Sequence, residues 1–158
     1  MYTITDNFKT AIRGSARQVR ARILNGEDII ADTDDLQSLE IISDGSLCRT
    51  VMRQAKCVYF GDHNMLGNWV SPEVGVVLPN ATTEYINYGG FKVVEVTEDI
   101  GGLTSTAKLY DRMYEALQPY ALTPTYPITL LQLLQAICTE LGWTLATTTF
   151  ANSTISIE

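Results

Sequence analysis

The side chains best suited to catalysis are few and widely separated in this sequence. Its one histidine, His63, stands in "FGDHNMLGNW", and neither a GxSxG nor an HExxH motif accompanies it. A serine or cysteine triad would have to use that single imidazole as its base. The three cysteines, Cys48, Cys57 and Cys138, are an odd number without paired spacing, which favours reduced, buried thiols. We therefore predict no catalytic residue and no enzyme activity.

Metal and phosphate motifs are similarly incomplete. The run "DTDD", Asp32 to Asp35, could attract calcium, but an EF-hand loop needs glycine at its sixth place and glutamate at its twelfth, where Gln37 and Ser43 stand. The glycines of "GGF" and "IGG" lack the spacing of dinucleotide-binding or P-loop motifs. We predict no metal and no cofactor, and we interpret the acidic run as a solvated turn.

Aromatic side chains offer one alternative to chemistry. A small carbohydrate-binding β-domain could stack sugars on a surface of tyrosine and tryptophan, although aromatic residues in strands more often fill a core or an interface. The candidates for such a surface are Phe60, Trp69, Tyr85 and Tyr88.

Composition limits the classes of function. The chain has 158 residues, 46% of them hydrophobic and 18% charged, enough to bury a core in one domain or in one domain and part of another. A net charge of −7 opposes sequence-specific nucleic-acid binding, which needs a cationic surface. No apolar run approaches the roughly 20 residues that span a bilayer, so we expect no membrane insertion. The N-terminus lacks the apolar core of a signal peptide, and we expect the protein to be made in a cytoplasm.

The first half of the chain predicts a short helix and then strands. Thr5 and Asp6 are good N-caps for a helix that Gly14 ends. Alternating residues from Val19 onward break at Asn25-Gly26, which is typical of a two-residue hairpin turn. Further strands are predicted at residues 36–43, 50–61 and 74–78.

The segment Tyr85 to Asp111 predicts two strands joined by the acidic, glycine-containing turn "TEDIGG". Strict alternation would place Phe91, Val93, Glu95 and Thr97 on one face and Lys92, Val94 and Val96 on the other. Neither face is clearly polar, so we expect part of the second face to be covered by another sheet or another subunit.

The last third of the chain predicts a linker and a second domain. Pro119, Pro124 and Pro127 lie within nine residues. Thr129 and Gln132 then form a capping-box pattern ahead of an apolar helical stripe that Gly142 ends. The predicted organisation is a β-rich domain at residues 1–118, a linker at 119–127, and a helix-plus-strand start of a second, incomplete domain at 128–158. The predicted fold class is α+β, mostly β.

Four ordered segments resemble the N-terminal part of tail-tip (baseplate) hub proteins of siphophages and prophages of Gram-positive bacteria. These segments are "VMRQAKCVYFGDHNMLGNWV", "EYINYGGFKVVEVTED", "TAKLYDRMYEALQPY" and "YPITLLQLLQAICTELG". The resemblance covers about residues 15 to 150. It implies an antiparallel, β-barrel-like tube domain, three copies of which form a ring that continues the tail tube in the virion tail tip.

The resemblance also implies partners and an interface. The partners are two further copies of the chain, the distal tail protein, the tail tube and the tape-measure protein. We expect the "TEDIGG" turn to project toward a neighbour or the tube end. The residues predicted to form this interface are Phe91, Val94, Val96, Glu98 and Asp99. The peptidoglycan-cleaving and receptor-binding modules of such hubs lie C-terminal to this region, so no lytic activity is expected from these residues.

Overall fold

The computed structural model describes residues 4–43, 52–61, 63–99, 101–117 and 122–157. Strands account for 43% of it and helices for 18%, and the sheets are antiparallel, which confirms the prediction of a mostly β fold. The chain divides into two compact units, Met1–Tyr114 and Glu115–Glu158. No helix among the described residues has the length and apolar character needed to cross a membrane.

The first helix, α1, runs from Asp6 to Arg13 as predicted. The Thr5 hydroxyl accepts the N–H of Phe8 and so caps the helix, while the backbone N–H of Thr5 donates to the Glu84 carboxylate 3.0 Å away. Phe8 is the buried residue of this helix. The N-cap therefore both starts α1 and attaches it to the sheet.

Eight strands form the sheet of the N-terminal unit, in the order β2-β1-β5-β7-β8-β4-β3, and β6 also pairs with β5. Every pairing is antiparallel. The strands are β1 Val19–Asn25, β2 Asp28–Ala31, β3 Leu36–Ser43, β4 Arg53–Phe60, β5 Trp69–Val77, β6 Thr83–Asn87, β7 Phe91–Glu98 and β8 Thr104–Tyr110.

The β1–β2 turn lies one residue later than the sequence predicted. Asn25 is paired with Asp28, so the two loop residues are Gly26 and Glu27. Gly26 has a φ of +65° at the first loop position, which glycine adopts without steric cost.

Two predicted strand limits are wrong. The strand expected to begin at Val74 begins at Trp69, and Tyr85 belongs to β6, a separate strand paired with β5. Gly89, with a φ of +91°, separates β6 from β7. The strong hairpin is therefore β7–β8 alone, and the segment from Tyr85 to Asp111 contains three strands.

A β-bulge in β7 explains the mixed face pattern of that strand. Val93 is paired with Leu109 and Glu95 with Lys108, so β7 carries one extra residue at Val94. The extra residue reverses the alternation: Glu95 is exposed, whereas Val96 packs against the core. The bulge therefore accounts for Val96, one of the apolar residues that strict alternation had placed on the second face.

A single hydrophobic core lies against one face of the curved sheet. It takes residues from six of the strands and from the β4–β5 connection, and side chains of β3 pack against it. The buried core residues are Ile23, Ala31, Ala55, Cys57, Tyr59, Met65, Val70, Phe91, Val93, Ala107 and Leu109. A core that joins most of the strands is consistent with the one compact unit that these residues form.

The C-terminal unit contains α2, Leu130–Glu140, and a short antiparallel pair of strands, β9 Ile128–Thr129 and β10 Ser156–Ile157. The predicted capping box is confirmed, since Thr129 and Gln132 exchange side chain to backbone hydrogen bonds. Gly142, with a φ of +64°, follows the helix end as expected. None of the α2 side chains is fully buried.

Candidate functional site

The imidazole of His63 is used in local structure. Its Nε2 lies 2.9 Å from the carbonyl oxygen of Phe60, and its ring centroid lies 5.2 Å from that of Tyr59. Over the described ranges no three His, Cys, Asp or Glu side chains are grouped so as to hold a metal ion. The structure thus gives His63 a place in the turn after β4.

The cysteines differ in their surroundings. Cys57 is fully buried in the core, and Cys138 on α2 is half-buried. Burial raises the pKa of the Cys57 thiol from 9.0 to about 11, a rise that a backbone hydrogen bond from Ala107 partly offsets. Cys48 lies outside the described residues.

We expect native Cys57 to resist alkylation at pH 8. A rise in pKa of two units lowers its thiolate fraction roughly a hundredfold, and burial blocks access as well. Timed iodoacetamide labelling, read by peptide mass spectrometry, should modify Cys138 first and Cys57 only in urea. Equal labelling rates for these two cysteines in the folded protein would contradict the buried position of Cys57.

The acidic run Asp32 to Asp35 forms a tight turn whose carboxylates cap its own backbone. The N–H of Asp34 donates to the Asp32 carboxylate at 2.8 Å, and the N–H of Asp32 donates to the Asp35 carboxylate at 3.2 Å. Thr33 bonds across to β1, where its hydroxyl donates to the carbonyl of Ala21 and accepts the N–H of the same residue. The carboxylates of Asp32 and Asp35 thus stabilise the turn that contains them.

The four aromatic residues considered for sugar stacking do not share one location. Tyr85 lies over Gly75, and the guanidinium carbon of Arg22 is 3.8 Å from its ring centroid. Phe60 ends β4 beside the start of β8, whereas Trp69 begins β5. Tyr88 packs against the core, and Trp69 lines the cavity described below.

The predicted interface residues separate into two groups. Phe91 is fully buried and Val96 packs against the core, so both anchor the β7–β8 hairpin to the core. A partner cannot contact the buried side chain of Phe91. Val94 is half-buried at the bulge. Glu98 and Asp99 are exposed at the end of the hairpin.

Two large apolar side chains accompany these carboxylates. Leu103 is 76% exposed and Phe60 is 49% exposed. They are neighbours in the sheet, because Phe60 is paired with Thr104 and the N–H of Gly61 donates to the carbonyl of Leu103 at 3.1 Å. We call Phe60, Glu98, Asp99 and Leu103 the tip surface. Its acidic residues, Glu98 and Asp99, are predicted from the sequence, whereas its apolar residues, Phe60 and Leu103, are not among the predicted interface residues.

An ion pair between a buried Asp111 and a half-buried Arg53 stands at the other end of β4 and β8. Asp111, which is 7% exposed, accepts the backbone N–H groups of Arg53 and Met113, each at 3.0 Å, and its Oδ2 lies 3.4 Å from Nε of Arg53. The Arg53 guanidinium also donates to the carbonyl of Tyr88 and lies 5.2 Å from the Phe91 ring centroid. This network joins β4, β7 and the chain after β8.

A cavity of about 530 Å³ opens beside the ion pair. The sequence indicates a ligand-binding role only for Trp69 among its lining residues, because Arg53 and Asp111 are 58 positions apart and no motif links them. The lining residues are Arg53, Trp69, Gly90, Asp111, Arg112 and Met113.

No protein-family model matches this chain, and no curated protein sequence matches it significantly.

Proposed function

We propose that the chain is a structural, non-enzymatic component of a bacteriophage or prophage tail tip, the N-terminal part of a baseplate hub. The proposal starts from the four segments that resemble such hubs. The observation that carries it in the structure is the tip surface, where Leu103 and Phe60 are exposed beside Glu98 and Asp99. An apolar pair with a polar rim is typical of a protein–protein contact.

A barrel-like tube domain is the second part of the proposal. Its support is the approach of β1 to β3, the edge strand at one end of the sheet order. Arg20 and Ala21 of β1 and Leu36 and Leu39 of β3 line one cavity of about 210 Å³. Closing a sheet into a barrel requires strands from its two ends to come together, so this approach favours a barrel-like domain.

In the proposed assembly, three copies form a ring in the virion tail tip, after assembly in the bacterial cytoplasm. The ring continues the tail tube and contacts the distal tail protein and the tape-measure protein. Its bore is acidic or neutral, because a passing DNA must not gain affinity from cationic contacts. The net charge of −7 per chain supports such a bore. A bore lined by Arg20, Arg22 and Lys92 would contradict it.

Replacing Leu103 by aspartate should weaken binding to the distal tail protein of the same virion by about tenfold or more. The change places a charge in the apolar part of the tip surface, and central apolar contacts dominate such interfaces. The folded chain should keep its stability, since Leu103 is largely exposed. Sedimentation velocity of the mixed proteins measures the association, and negative-stain images show whether rings form.

The matched control is Ile29→Asp, an equally drastic change at an exposed apolar residue of β2. It should leave the association unchanged. If the unaltered chain stays monomeric with the distal tail protein and never enters tail particles, the tail-tip proposal is wrong.

The carbohydrate-binding β-domain is the second candidate function. The separated positions of Tyr85, Phe60 and Trp69 argue against one broad stacking platform. Trp69 alone favours sugar contact, through the cavity that it lines.

A further inference from the structure

We propose that the cavity beside Arg53 and Asp111 binds one ring of an anionic saccharide, a sugar that carries a carboxylate or a phosphate. Its volume of about 530 Å³ is in the range of small-ligand sites and exceeds that of one sugar ring. The cavity and the tip surface lie at opposite ends of β4, seven residues or roughly 20 Å apart. The inference therefore does not depend on the tail-tip proposal.

Trp69 supplies the aromatic wall. Its side chain is 38% exposed, and an indole offers the apolar face on which the C–H groups of a sugar ring stack. Gly90 keeps this wall open, because a Cβ at that position would already lie 3.8 Å from Cε3 of Trp69. A larger side chain at Gly90 would enter the space that the sugar ring needs.

Arg53 supplies a fixed cation. Its guanidinium is held by Asp111, by the carbonyl of Tyr88 and by the Phe91 ring, so its position is set before any ligand arrives. A guanidinium has five N–H groups, which exceeds the two hydrogen bonds described for this side chain. Planar, bidentate contact with a carboxylate or phosphate suits such a donor.

Arg112 adds a second guanidinium to the cavity lining. The lining thus holds the guanidiniums of Arg53 and Arg112 and the carboxylate of Asp111. Lys92 is the cross-strand partner of Trp69 and leaves the sheet on the same face, which adds a further cation on that face. A small group of cations on a chain of net charge −7 favours a ligand with one or two negative groups over a long polyanion.

The test uses the fluorescence of Trp69 in the full chain. The sequence has two tryptophans, so Trp143→Phe leaves Trp69 as the one reporter. Glucuronic acid and glucose 6-phosphate should each change its emission saturably, with Kd on the order of 1 mM, which is typical of so small a ligand. Glucose should bind about tenfold more weakly, because it lacks the charged group. Isothermal titration of the unaltered chain repeats the measurement without the Trp143 change.

Three variants locate the binding. Arg112→Gln removes an exposed cation and should weaken glucuronic acid binding about tenfold while leaving glucose binding unchanged. Gly90→Leu should abolish binding of both acids by filling the cavity. Lys56→Gln, which removes an exposed cation that does not line the cavity, should bind glucuronic acid like the unaltered chain. Thermal unfolding of each variant verifies that it is folded.

Several results would overturn the proposal. The first is that neither acid binds saturably by either method. The second is that glucose binds as tightly as glucuronic acid. The third is that Arg112→Gln and Lys56→Gln weaken glucuronic acid binding equally. Tight binding of a single-stranded oligonucleotide without binding of either sugar acid would also overturn it. Distal tail protein binding is measured separately, so failure at the cavity and failure of the tail-tip proposal are distinguishable.

Discussion

Replacing Gly75 by alanine should destabilise the N-terminal unit by about 2–3 kcal/mol, the range of a substitution that overfills a packed site. Gly75 lies in the middle of β5, directly opposite Tyr85. A Cβ there would stand 2.7 Å from Cδ1 of Tyr85, 2.8 Å from the carbonyl oxygen of Glu84 and 2.8 Å from Cγ2 of Thr83. Because the Glu84 oxygen belongs to the backbone of β6, relief requires movement of the strand itself. Urea unfolding monitored by far-UV circular dichroism measures the loss.

A matched glycine provides the control for this prediction. Gly101, in the loop between β7 and β8, has no heavy atom within 4 Å of its Cβ position and no positive φ. Gly101→Ala should therefore change the free energy of unfolding by less than about 0.5 kcal/mol, as surface substitutions usually do. If Gly75→Ala were as harmless as Gly101→Ala, the close pairing of β5 with β6 would be incorrect.

Replacing Asp111 by alanine should cost about 1–3 kcal/mol of stability, the usual range when a buried hydrogen-bond partner is removed. The change leaves the backbone N–H groups of Arg53 and Met113 without their acceptor and removes the carboxylate beside the Arg53 guanidinium. Asp111→Asn should lose less, because the amide oxygen can still accept one of these bonds. Chemical denaturation of both variants gives the comparison.

The exposed pair Lys108–Glu95 is the control for the ion pair itself. Both side chains are about half exposed, and Nζ of Lys108 lies 2.9 Å from Oε2 of Glu95. The hydrogen bond from Lys108, and secondly its charge, lower the pKa of Glu95, but solvent screens an interaction at such a site. Glu95→Ala should therefore leave the stability of the protein nearly unchanged. A loss in Glu95→Ala equal to that in Asp111→Ala would show that burial of Asp111 is not the cause.

If the two proposals both hold, the N-terminal unit presents two separate surfaces. The tip surface is apolar and acidic, and it would contact protein. The cavity at the opposite end of β4 is cationic and aromatic, and it would contact a small anionic ligand. Leu103→Asp should therefore leave the binding of glucuronic acid unchanged, and Arg112→Gln should leave the binding of the distal tail protein unchanged, since the two sites lie roughly 20 Å apart.

The elements that were predicted well from the sequence are those set by interactions between residues close together along the chain. The Thr5 cap and the Thr129–Gln132 capping box act within three residues along the chain, so their patterns can be read directly. The limits of β3 and the glycine stops of both helices follow from similarly short-range preferences. The chain's negative charge and mostly β character were likewise available from the sequence.

Tertiary structure alone decided where the chain's distant parts meet. The bulge at Val94 depends on the register with β8, and it changed which valines face the core. Arg53 and Asp111 meet across 58 positions, and Arg22 and Glu73 across 51, at separations where no local pattern marks a partner. The exposed Phe60–Leu103 pair and the cavity arise from strand pairing in the same way. The sequence determines which side chains are available, but the pairing and packing of the strands determine which of these side chains meet.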